Sequence, residues 1–303
     1  MKSCSGVALA AVLALPLPNL SEGAASSPQT NTAQVLEVIR KKYDFPALAV
    51  VVVKDGKICD RAALGVRKLG SPSLVTTNDQ FHIGSCTKSM TATLTAMLIE
   101  EDKLRWDTTI AEVFPELKGR MNKQYEAVTV EQLLTHRGGL PTEPPDAAWS
   151  RAWAEKGTPV QQRYEFIQAV LHDPPEASPG TKHIYSNQGY AIVGAMLEKL
   201  TGTPWEALIT ARLFKPLHMN SAGFGPPGTT GAEEQPWGHT RKLLIALPLQ
   251  QDNPPAIAPA GRVHCSLDDL AAYAIFHMEG ERNGTLLKPA TTGDSSGFWV
   301  GVS

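Results

Sequence analysis

The spacing of apolar residues changes several times along the chain, and each change predicts a different element. Apolar positions at helical spacing predict a first helix over residues 33–42. A near-continuous apolar run follows at 47–53 and a second run at 58–66, separated by the polar segment 54–57. Because the Asp-Gly pair in this segment suits a tight turn, the two runs predict a β-hairpin.

The segment after the hairpin changes from polar to helical. A polar loop at 67–80 and an extended stretch at 81–84 lead to a helix predicted over 85–101. Three threonines within residues 91–95 are poor helix formers. They indicate a buried helix that is stabilised by packing rather than by the intrinsic preference of its residues.

Helical periodicity recurs in the rest of the chain, with helices predicted over 130–136, 161–172, 188–201, 204–213 and 267–277. Residues 142–160 are expected to form a loop, and residues 220–260 are expected to be mostly irregular. Nothing between residues 90 and 260 has a strand pattern. Because an isolated hairpin is not stable, we expect its partner strands near the C-terminus, where only 297–302 has a suitable pattern.

Composition narrows the class of protein. The chain has 303 residues, of which 42% are hydrophobic and 19% charged, which is typical of a globular protein with one large domain or two intertwined lobes. The formal net charge is −2, so the chain lacks the basic surface that nucleic-acid binding requires. We therefore expect no nucleic-acid partner.

The first 25 residues have the pattern of a secretory signal peptide. Lys2 supplies a positive start, residues 6–20 are mostly apolar, and residues 23–25 are small enough for a cleavage site. The apolar run is too short and too rich in proline to span a membrane. We expect residues 1–25 to be a signal peptide, residues 26–32 to be a linker, and the protein to be exported to the periplasm or the cell exterior.

Removal of this segment would leave three cysteines, Cys59, Cys86 and Cys265. Three cysteines cannot all pair with one another, and these lack the spacing of zinc ligands, so most are expected to be buried, unreactive thiols. No two histidines have metal-ligand spacing. We therefore expect neither a metal nor another cofactor.

Ser85 and Lys88 form the only Ser-x-x-Lys sequence in the chain, at the start of a predicted helix. Residues three apart share a helix face, so the lysine can reach the serine hydroxyl. A serine becomes nucleophilic when a base removes its proton, and burial can lower the pKa of a lysine enough for it to act as that base. The alternative is a serine that caps the helix and a lysine that is exposed in the first turn.

A second polar motif, Tyr185-Ser186-Asn187, is the only Tyr-x-Asn sequence in the chain. Tyr185 can relay a proton if a nearby Lys88 stabilises its phenolate. Asn187 can point the same way as Tyr185 in extended backbone, where it would bind a substrate amide or the lysine. The alternative is a packed tyrosine followed by an asparagine that caps a helix.

Together these motifs resemble a known family. Residues 81–90, Phe-His-Ile-Gly-Ser-Cys-Thr-Lys-Ser-Met, are similar to the nucleophile segment of serine β-lactamases and penicillin-binding proteins. Residues 185–187 resemble the second motif of the class C branch, which includes D-alanyl-D-alanine carboxypeptidases and lactamase-fold esterases. Further similar segments lie at 130–140, 179–180 and 236–239, so the resemblance covers roughly residues 33–290.

The resemblance implies an α/β (α+β) fold of the β-lactamase/transpeptidase type, with an antiparallel sheet flanked by helices and an all-helical lobe. It places one hydrolase domain at residues 33–303 and the helical lobe at about 90–260. The family's third motif, Lys/His-x-Gly on a strand after the tyrosine motif, has no match after Tyr185. We therefore expect the sheet to be incomplete at the C-terminus.

For the site, the resemblance implies that Ser85 is the nucleophile and that Lys88 and Tyr185 share its activation and protonate the leaving group. Asn187 would bind substrate or steady the lysine, and the backbone N–H of Ser85 would be one oxyanion donor. The expected protein is a secreted serine hydrolase that forms an acyl-enzyme with a β-lactam, a D-alanyl peptide of peptidoglycan type or a carboxylic ester. The absent third motif favours the alternative, a truncated pseudoenzyme or binding module of the same fold.

Four histidines have less specific interpretations. His239 is expected in a loop, bonded to the backbone, and His136 is expected to cap the end of a helix. His82 and His183 flank the two motifs and could tune the site.

Overall fold

The computed structural model describes residues 32–242, 245–279 and 286–287. Two predictions concern residues outside this part of the chain, namely the signal peptide at 1–25 and the strand at 297–302. Within it, helices and antiparallel strands are mixed, which confirms the predicted fold class. None of the described helices is long and apolar enough to cross a membrane.

The chain begins with α1 (Thr32–Tyr43) and the hairpin of β1 (Ala47–Lys54) and β2 (Lys57–Gly65), as predicted. Asp55 and Gly56, the two residues of the turn, have φ values of 51° and 72°. A two-residue turn with positive φ at both positions favours Asp-Gly, because glycine and aspartate adopt this backbone at low cost. Local sequence is therefore enough to determine this hairpin.

The hairpin packs against α1 and against α10 (Leu267–Glu279). Among the described residues, β1 and β2 form a sheet of two strands with no third partner. No residue of either strand is fully buried, although β1 is almost entirely apolar.

The central helix α2 (Thr87–Glu100) follows β3 (Phe81–His82) and a single 3₁₀ turn, Gly84–Cys86. All but one of its residues from Thr87 to Leu98 are buried. The hydroxyl of Thr91 donates to the carbonyl of Pro259 at 2.7 Å, which satisfies a polar group inside the core. The prediction of a buried helix that is held by packing is confirmed.

Six helices follow α2: α3 (Ile110–Val113), α4 (Val130–Leu134), α5 (Asp146–Trp153), α6 (Pro159–His172), α7 (Asn187–Thr201) and α8 (Trp205–Ile209). A π-helical turn, Thr210–Phe214, continues α8. Threonines form capping boxes at the starts of α3, α4 and α6, which satisfies backbone N–H groups there. Gly202 ends α7 with a φ of 68°. The main hydrophobic core lies around α2, α6 and α7.

The helix α5 lies where a loop was predicted, so that prediction is wrong. Ala148 and Ala152, one turn apart, are both buried, and the Trp149 ring lies 6.4 Å from that of Phe166 in α6. The apolar face of α5 thus has only a few positions, and its burial depends on packing against α6, which a weak periodicity in the sequence does not reveal.

Strands also occur where none was predicted: β4 (Gly223–Phe224), β5 (Gly238–Lys242) and β6 (Ile245–Leu249), with α9 (Ala258–Gly261) and β7 (Val263–Cys265) after them. The prediction that nothing between residues 90 and 260 forms a strand is wrong. The strand β4 was missed because it has only two residues and pairs with β7, which is distant in sequence. The strands β5 and β6 pair with each other, but neither alternates between apolar and polar residues.

A small sheet in the order β3-β7-β4 holds the start of α2 in place. The N–H of Ile83 donates to the carbonyl of Val263 at 3.0 Å. The N–H of Val263 in turn donates to the hydroxyl of Thr87 at 3.1 Å. The turn between β3 and α2 is thereby tied on both sides to β7.

Candidate active site

Ser85 lies in the 3₁₀ turn between β3 and α2. Gly84, just before it, has a φ of 53°, a backbone conformation that residues with a Cβ adopt at a cost. The N–H of Gly84 donates to Nδ1 of His82 at 3.1 Å. This tight turn exposes the serine side chain at the first turn of the helix, where the sequence predicted it.

Lys88 lies one turn further on, with an exposed fraction of 1%. Its Nζ lies 3.0 Å from Ser85 Oγ, 2.7 Å from Asn187 Oδ1 and 2.9 Å from the carbonyl oxygen of Ala260. The alternative of an exposed lysine in the first turn is therefore wrong. A neutral amine has two N–H groups and one lone pair, so it can donate to Asn187 and Ala260 and present the lone pair to the serine O–H.

The electrostatics of the site favour this neutral amine. Burial lowers the pKa of Lys88 to about 7, because a charged ammonium is poorly solvated inside the protein. Ion pairs in the described part of the chain do not include Lys88. A lysine without a carboxylate partner is thus able to exchange its proton near neutral pH.

Tyr185 lies on the other side of the serine. Its hydroxyl donates to Ser85 Oγ at 2.6 Å, and Lys88 Nζ lies 4.7 Å from the centre of its ring. Burial raises the pKa of Tyr185, although the hydrogen bond to Ser85 partly opposes this. In this structure the neutral phenol of Tyr185 acts as a donor to Ser85 Oγ.

Asn187 is the first residue of α7 and directs its Oδ1 to Lys88. Of the two functions considered for Asn187, this contact corresponds to support of the lysine. The structure therefore brings together all four side chains that the sequence singled out: Ser85, Lys88, Tyr185 and Asn187.

A fifth group, the carbonyl of Ala260 in α9, was missed by the sequence analysis. Every residue has a backbone carbonyl, so the residue type at position 260 does not indicate this contact. Only the three-dimensional path of the chain shows that the carbonyl reaches Lys88. That path is tightly packed, because a Cβ on Gly194 of α7 would lie 2.3 Å from the Pro259 ring. The absence of a side chain at position 194 thus allows α9 to approach α2 and α7.

Among the four histidines, two bond to the backbone without reaching the serine. Nε2 of His239 accepts the N–H of Leu69 at 3.1 Å, which confirms the predicted backbone bond, although His239 lies in β5 and not in a loop. His82 holds Gly84, as described above, and its Nε2 lies 2.8 Å from a carboxylate oxygen of Asp252.

The other two histidines lie beside the tyrosine motif. His136 follows the end of α4 in a left-handed conformation, and the N–H groups of His136 and Arg137 donate to the carbonyls of Leu133 and Gln132, which confirms the predicted helix cap. The Nδ1 of His136 in addition accepts the N–H of Ser186 at 3.1 Å. The His183 ring lies 5.5 Å from that of His136. No sequence signal linked His136 to Tyr185, because the two are 49 positions apart in the chain.

The cysteines differ in exposure. Cys59 is exposed in β2, Cys86 is half-buried next to Ser85, and Cys265 is buried in β7. The expectation that most of them are buried is therefore right for Cys265 only. Burial raises the pKa of the Cys86 thiol, which keeps it protonated beside the serine.

The fold is shared with penicillin-binding protein homologues. The solved structure of an octameric penicillin-binding protein homologue from Pyrococcus abyssi superimposes with a TM-score of 0.71 and 24% identity, over 88% of this chain and 59% of that one. The family model described as Beta-lactamase matches residues 32–298, so the chain belongs to this family.

Curated relatives agree with this assignment. Penicillin-binding protein 4 of Amycolatopsis lactamdurans is 27% identical over 255 residues, which cover 80% of this chain and 62% of the relative. A putative D-alanyl-D-alanine carboxypeptidase of Escherichia coli (strain K12) is 29% identical over 256 residues, which cover 78% of this chain and 56% of the relative. The chain thus spans about three fifths of the length of these relatives.

Proposed function

We propose that the protein is an exported serine hydrolase that forms an acyl-enzyme through Ser85. The observation that carries this proposal is the contact set of Lys88, a buried amine that faces two fixed acceptors and the serine hydroxyl. A structural lysine would also need acceptors, but it would not need contact with a serine hydroxyl at the start of the same helix. A general base needs a lone pair directed at the proton that it removes.

The proposed reaction begins with proton transfer from the Ser85 hydroxyl to Lys88 Nζ while Ser85 Oγ attacks the carbonyl carbon of the substrate. When the tetrahedral intermediate collapses, the bond from carbon to the leaving group breaks. The leaving group takes a proton from the Tyr185 hydroxyl, which Lys88 replaces through the same hydrogen-bonded cluster. Water then cleaves the acyl-enzyme by the same steps in reverse.

One oxyanion donor is proposed to be the backbone N–H of Ser85. It lies in the first turn before α2, where backbone N–H groups have no partner four residues earlier. Such donors stabilise the negative oxygen of the intermediate and are worth about 3 kcal/mol each.

The proposed substrates are small molecules or peptides with a susceptible carbonyl: a β-lactam, a D-alanyl peptide or a carboxylic ester. The names of the two relatives support a peptide of peptidoglycan type, although they describe proteins of greater length. The alternative is a binding module of the same fold without turnover.

Export is proposed from the signal-peptide pattern of residues 1–25, with residues 33–303 as one hydrolase domain. N-terminal sequencing of the product secreted by a bacterial host tests this. A new N-terminus near residue 26 is expected, and a mature protein that still begins at Met1 in the cytoplasm would contradict it.

Covalent labelling tests the proposed nucleophile. A fluorescent penicillin or a fluorophosphonate should label the protein, and mass spectrometry should place the adduct on Ser85. Ser85→Ala should abolish the label, whereas Ser89→Ala, one turn further along the same helix, is the matched control and should retain it. Equal labelling of Ser85→Ala would refute the assignment, and binding of unreacted penicillin without an adduct would favour the binding module.

A further inference from the structure

His136 is placed where it can control the position of Tyr185. It directly follows the end of α4 with a φ of 58°, a left-handed conformation that histidine adopts more readily than most residues. Its ring is buried, with an exposed fraction of 4%. The ring packs at 4.6 Å, centre to centre, against Tyr185 and at 5.4 Å against Tyr190.

His136 accepts two hydrogen bonds, one from the residue on each side of Tyr185. The N–H of Ile184 donates to the backbone carbonyl of His136 at 2.8 Å, and the N–H of Ser186 donates to His136 Nδ1 at 3.1 Å. The residues immediately before and after Tyr185 are therefore both tied to His136. Together with the ring contact, these bonds restrain the backbone and the side chain of Tyr185.

The protonation of His136 suits this arrangement. Because Nδ1 accepts a hydrogen bond, it must carry a lone pair, so the ring is neutral with its proton on Nε2. Burial, together with unfavourable electrostatic interactions of an imidazolium with the nearby Lys88 and His183 side chains, lowers the pKa of His136 to about 4. The acceptor is thus available throughout the neutral range.

The contacts of His136 also distinguish it from a histidine that only fills the core. Its Nε2 is buried without a hydrogen-bond partner in the described part of the chain. An unsatisfied buried N–H costs about 1–3 kcal/mol, a cost that a phenylalanine at this position would not have. The Nδ1 acceptor is therefore the feature that the imidazole adds to the site.

We propose that His136 is a positioning residue for acylation, acting through Tyr185. It holds the Tyr185 hydroxyl at its 2.6 Å contact with Ser85 Oγ and does not itself touch the serine. This inference rests on the proposed acyl-enzyme function. A displaced proton donor lowers the rate of the chemical step far more than it weakens substrate binding.

Two variants separate the contribution of the hydrogen-bond acceptor of His136 from that of its aromatic ring. His136→Phe keeps an aromatic ring but removes the acceptor for the Ser186 N–H. His136→Asn removes the ring but keeps an acceptor, because Asn Oδ1 is attached to Cγ as His Nδ1 is, and Asn tolerates positive φ. Each variant is made both in the otherwise wild-type protein, which retains Tyr185 (the Tyr185 background), and in the Tyr185→Phe variant (the Tyr185→Phe background).

The measurement is the rate of Ser85 acylation by a fluorescent penicillin and by a nitrophenyl ester, with kcat and KM for the ester. In the Tyr185 background, His136→Phe should lower the acylation rate and kcat by about 10-fold or more with little change in KM. His136→Asn should restore most of the rate. In the Tyr185→Phe background, His136→Phe should add little further loss.

Other results overturn the proposal. These are an unchanged rate in His136→Phe, an equal loss in both backgrounds, or a failure of His136→Asn to restore the rate. If His136→Phe does not fold, His136→Ala, which also lacks the acceptor but is smaller, takes its place. The proposed function is refuted by a different result, namely acylation of the Ser85→Ala variant. If Ser85 is labelled normally but substitutions at position 136 have no effect, only the present inference is refuted.

Discussion

Two buried cations in this protein have opposite surroundings. The exposed fraction of Lys88 is 1% and that of Arg163 in α6 is 0%. Arg163 forms ion pairs with two carboxylates, Glu198 and Glu206, and donates to the carbonyl of Pro255 at 3.1 Å. Lys88, by contrast, contacts only neutral oxygen atoms among its hydrogen-bond partners.

The difference follows from the chemistry of the two side chains. A guanidinium keeps its proton at any ordinary pH, so its burial requires negative partners that compensate the lost hydration. A buried lysine can instead release its proton, and neutral acceptors favour this outcome. The surroundings of the arginine therefore suit a permanent charge, whereas those of the lysine suit the proton transfer proposed above.

The largest expected effect comes from removal of the lysine. Lys88→Met keeps the length of the side chain but removes the base, so we expect acylation of Ser85 by a fluorescent penicillin to fall by about 10²- to 10⁴-fold. The labelling rate is measured on protein whose circular dichroism spectrum is unchanged. Acylation at the wild-type rate would mean that Lys88 is not the proton acceptor.

The counterpart is removal of the arginine. Arg163→Met leaves Glu198 buried without its positive partner, so we expect the free energy of unfolding to fall by about 3–5 kcal/mol. Urea denaturation measures this change. The folded protein should still acylate at close to the wild-type rate, and a stability within about 0.5 kcal/mol of wild type would contradict the structural function assigned to Arg163.

A carboxylate placed beside Lys88 would give the lysine a negative partner like those of Arg163, which tests the comparison of the two cations directly. In the wild type, acylation should rise with pH around a midpoint of about 7, because only the neutral form of Lys88 accepts the proton. In Asn187→Asp, the new negative charge favours the ammonium form and should raise the pKa of Lys88 by about 1 to 3. Acylation at pH 7 should then fall by about 5- to 500-fold, but recover at higher pH.

Asn187→Leu is the matched control for this experiment, since it removes the acceptor without adding charge. Its midpoint should stay at or below that of the wild type. If Asn187→Asp and Asn187→Leu have the same pH profile, the titrating group is not Lys88.

The smallest expected effect concerns the outer carboxylate of the arginine cluster. Glu206 is partly exposed, with a side-chain exposure of 20%, and lies 2.6 Å from Arg163. Glu206→Gln should lower the free energy of unfolding by only about 1 kcal/mol, because Glu198 still neutralises the arginine and water reaches position 206. Urea denaturation of this variant should show a loss well below that of Arg163→Met; an equal loss would mean that both carboxylates are essential.

Much of the site was predictable from local sequence. Ser85 and Lys88 are three positions apart in one helix, and helical geometry alone places them on a common face. Tyr185 and Asn187 flank one residue of extended chain, so their proximity to each other is also local. The contact between these two pairs was expected only because both motifs resemble those of a known family and occur in the same order along the chain.

The groups that sequence analysis missed all act across long separations. Ala260 contributes only a backbone carbonyl, and His136 contributes a ring nitrogen to a segment that follows 50 positions later. The strand β4 was missed for the same reason, since it pairs with the distant β7. The strands β5 and β6 pair with each other locally and were missed because pairing through backbone hydrogen bonds requires no alternation of apolar and polar residues.

By itself, the sequence determined the elements whose cause lies within a few residues: the Asp-Gly turn, the capped helices, the buried helix α2 and the spacing of Ser85 and Lys88. Only the tertiary structure decided which buried cation keeps its charge. The Ser-x-x-Lys spacing marks Lys88 as a candidate base, but the local sequence of Lys88 and of Arg163 does not show which charged or neutral groups face each residue once it is buried. The partners that decide between them, Asn187 and Ala260 in one case and Glu198 and Glu206 in the other, are brought in by other elements, and the pKa of a buried group depends on those partners.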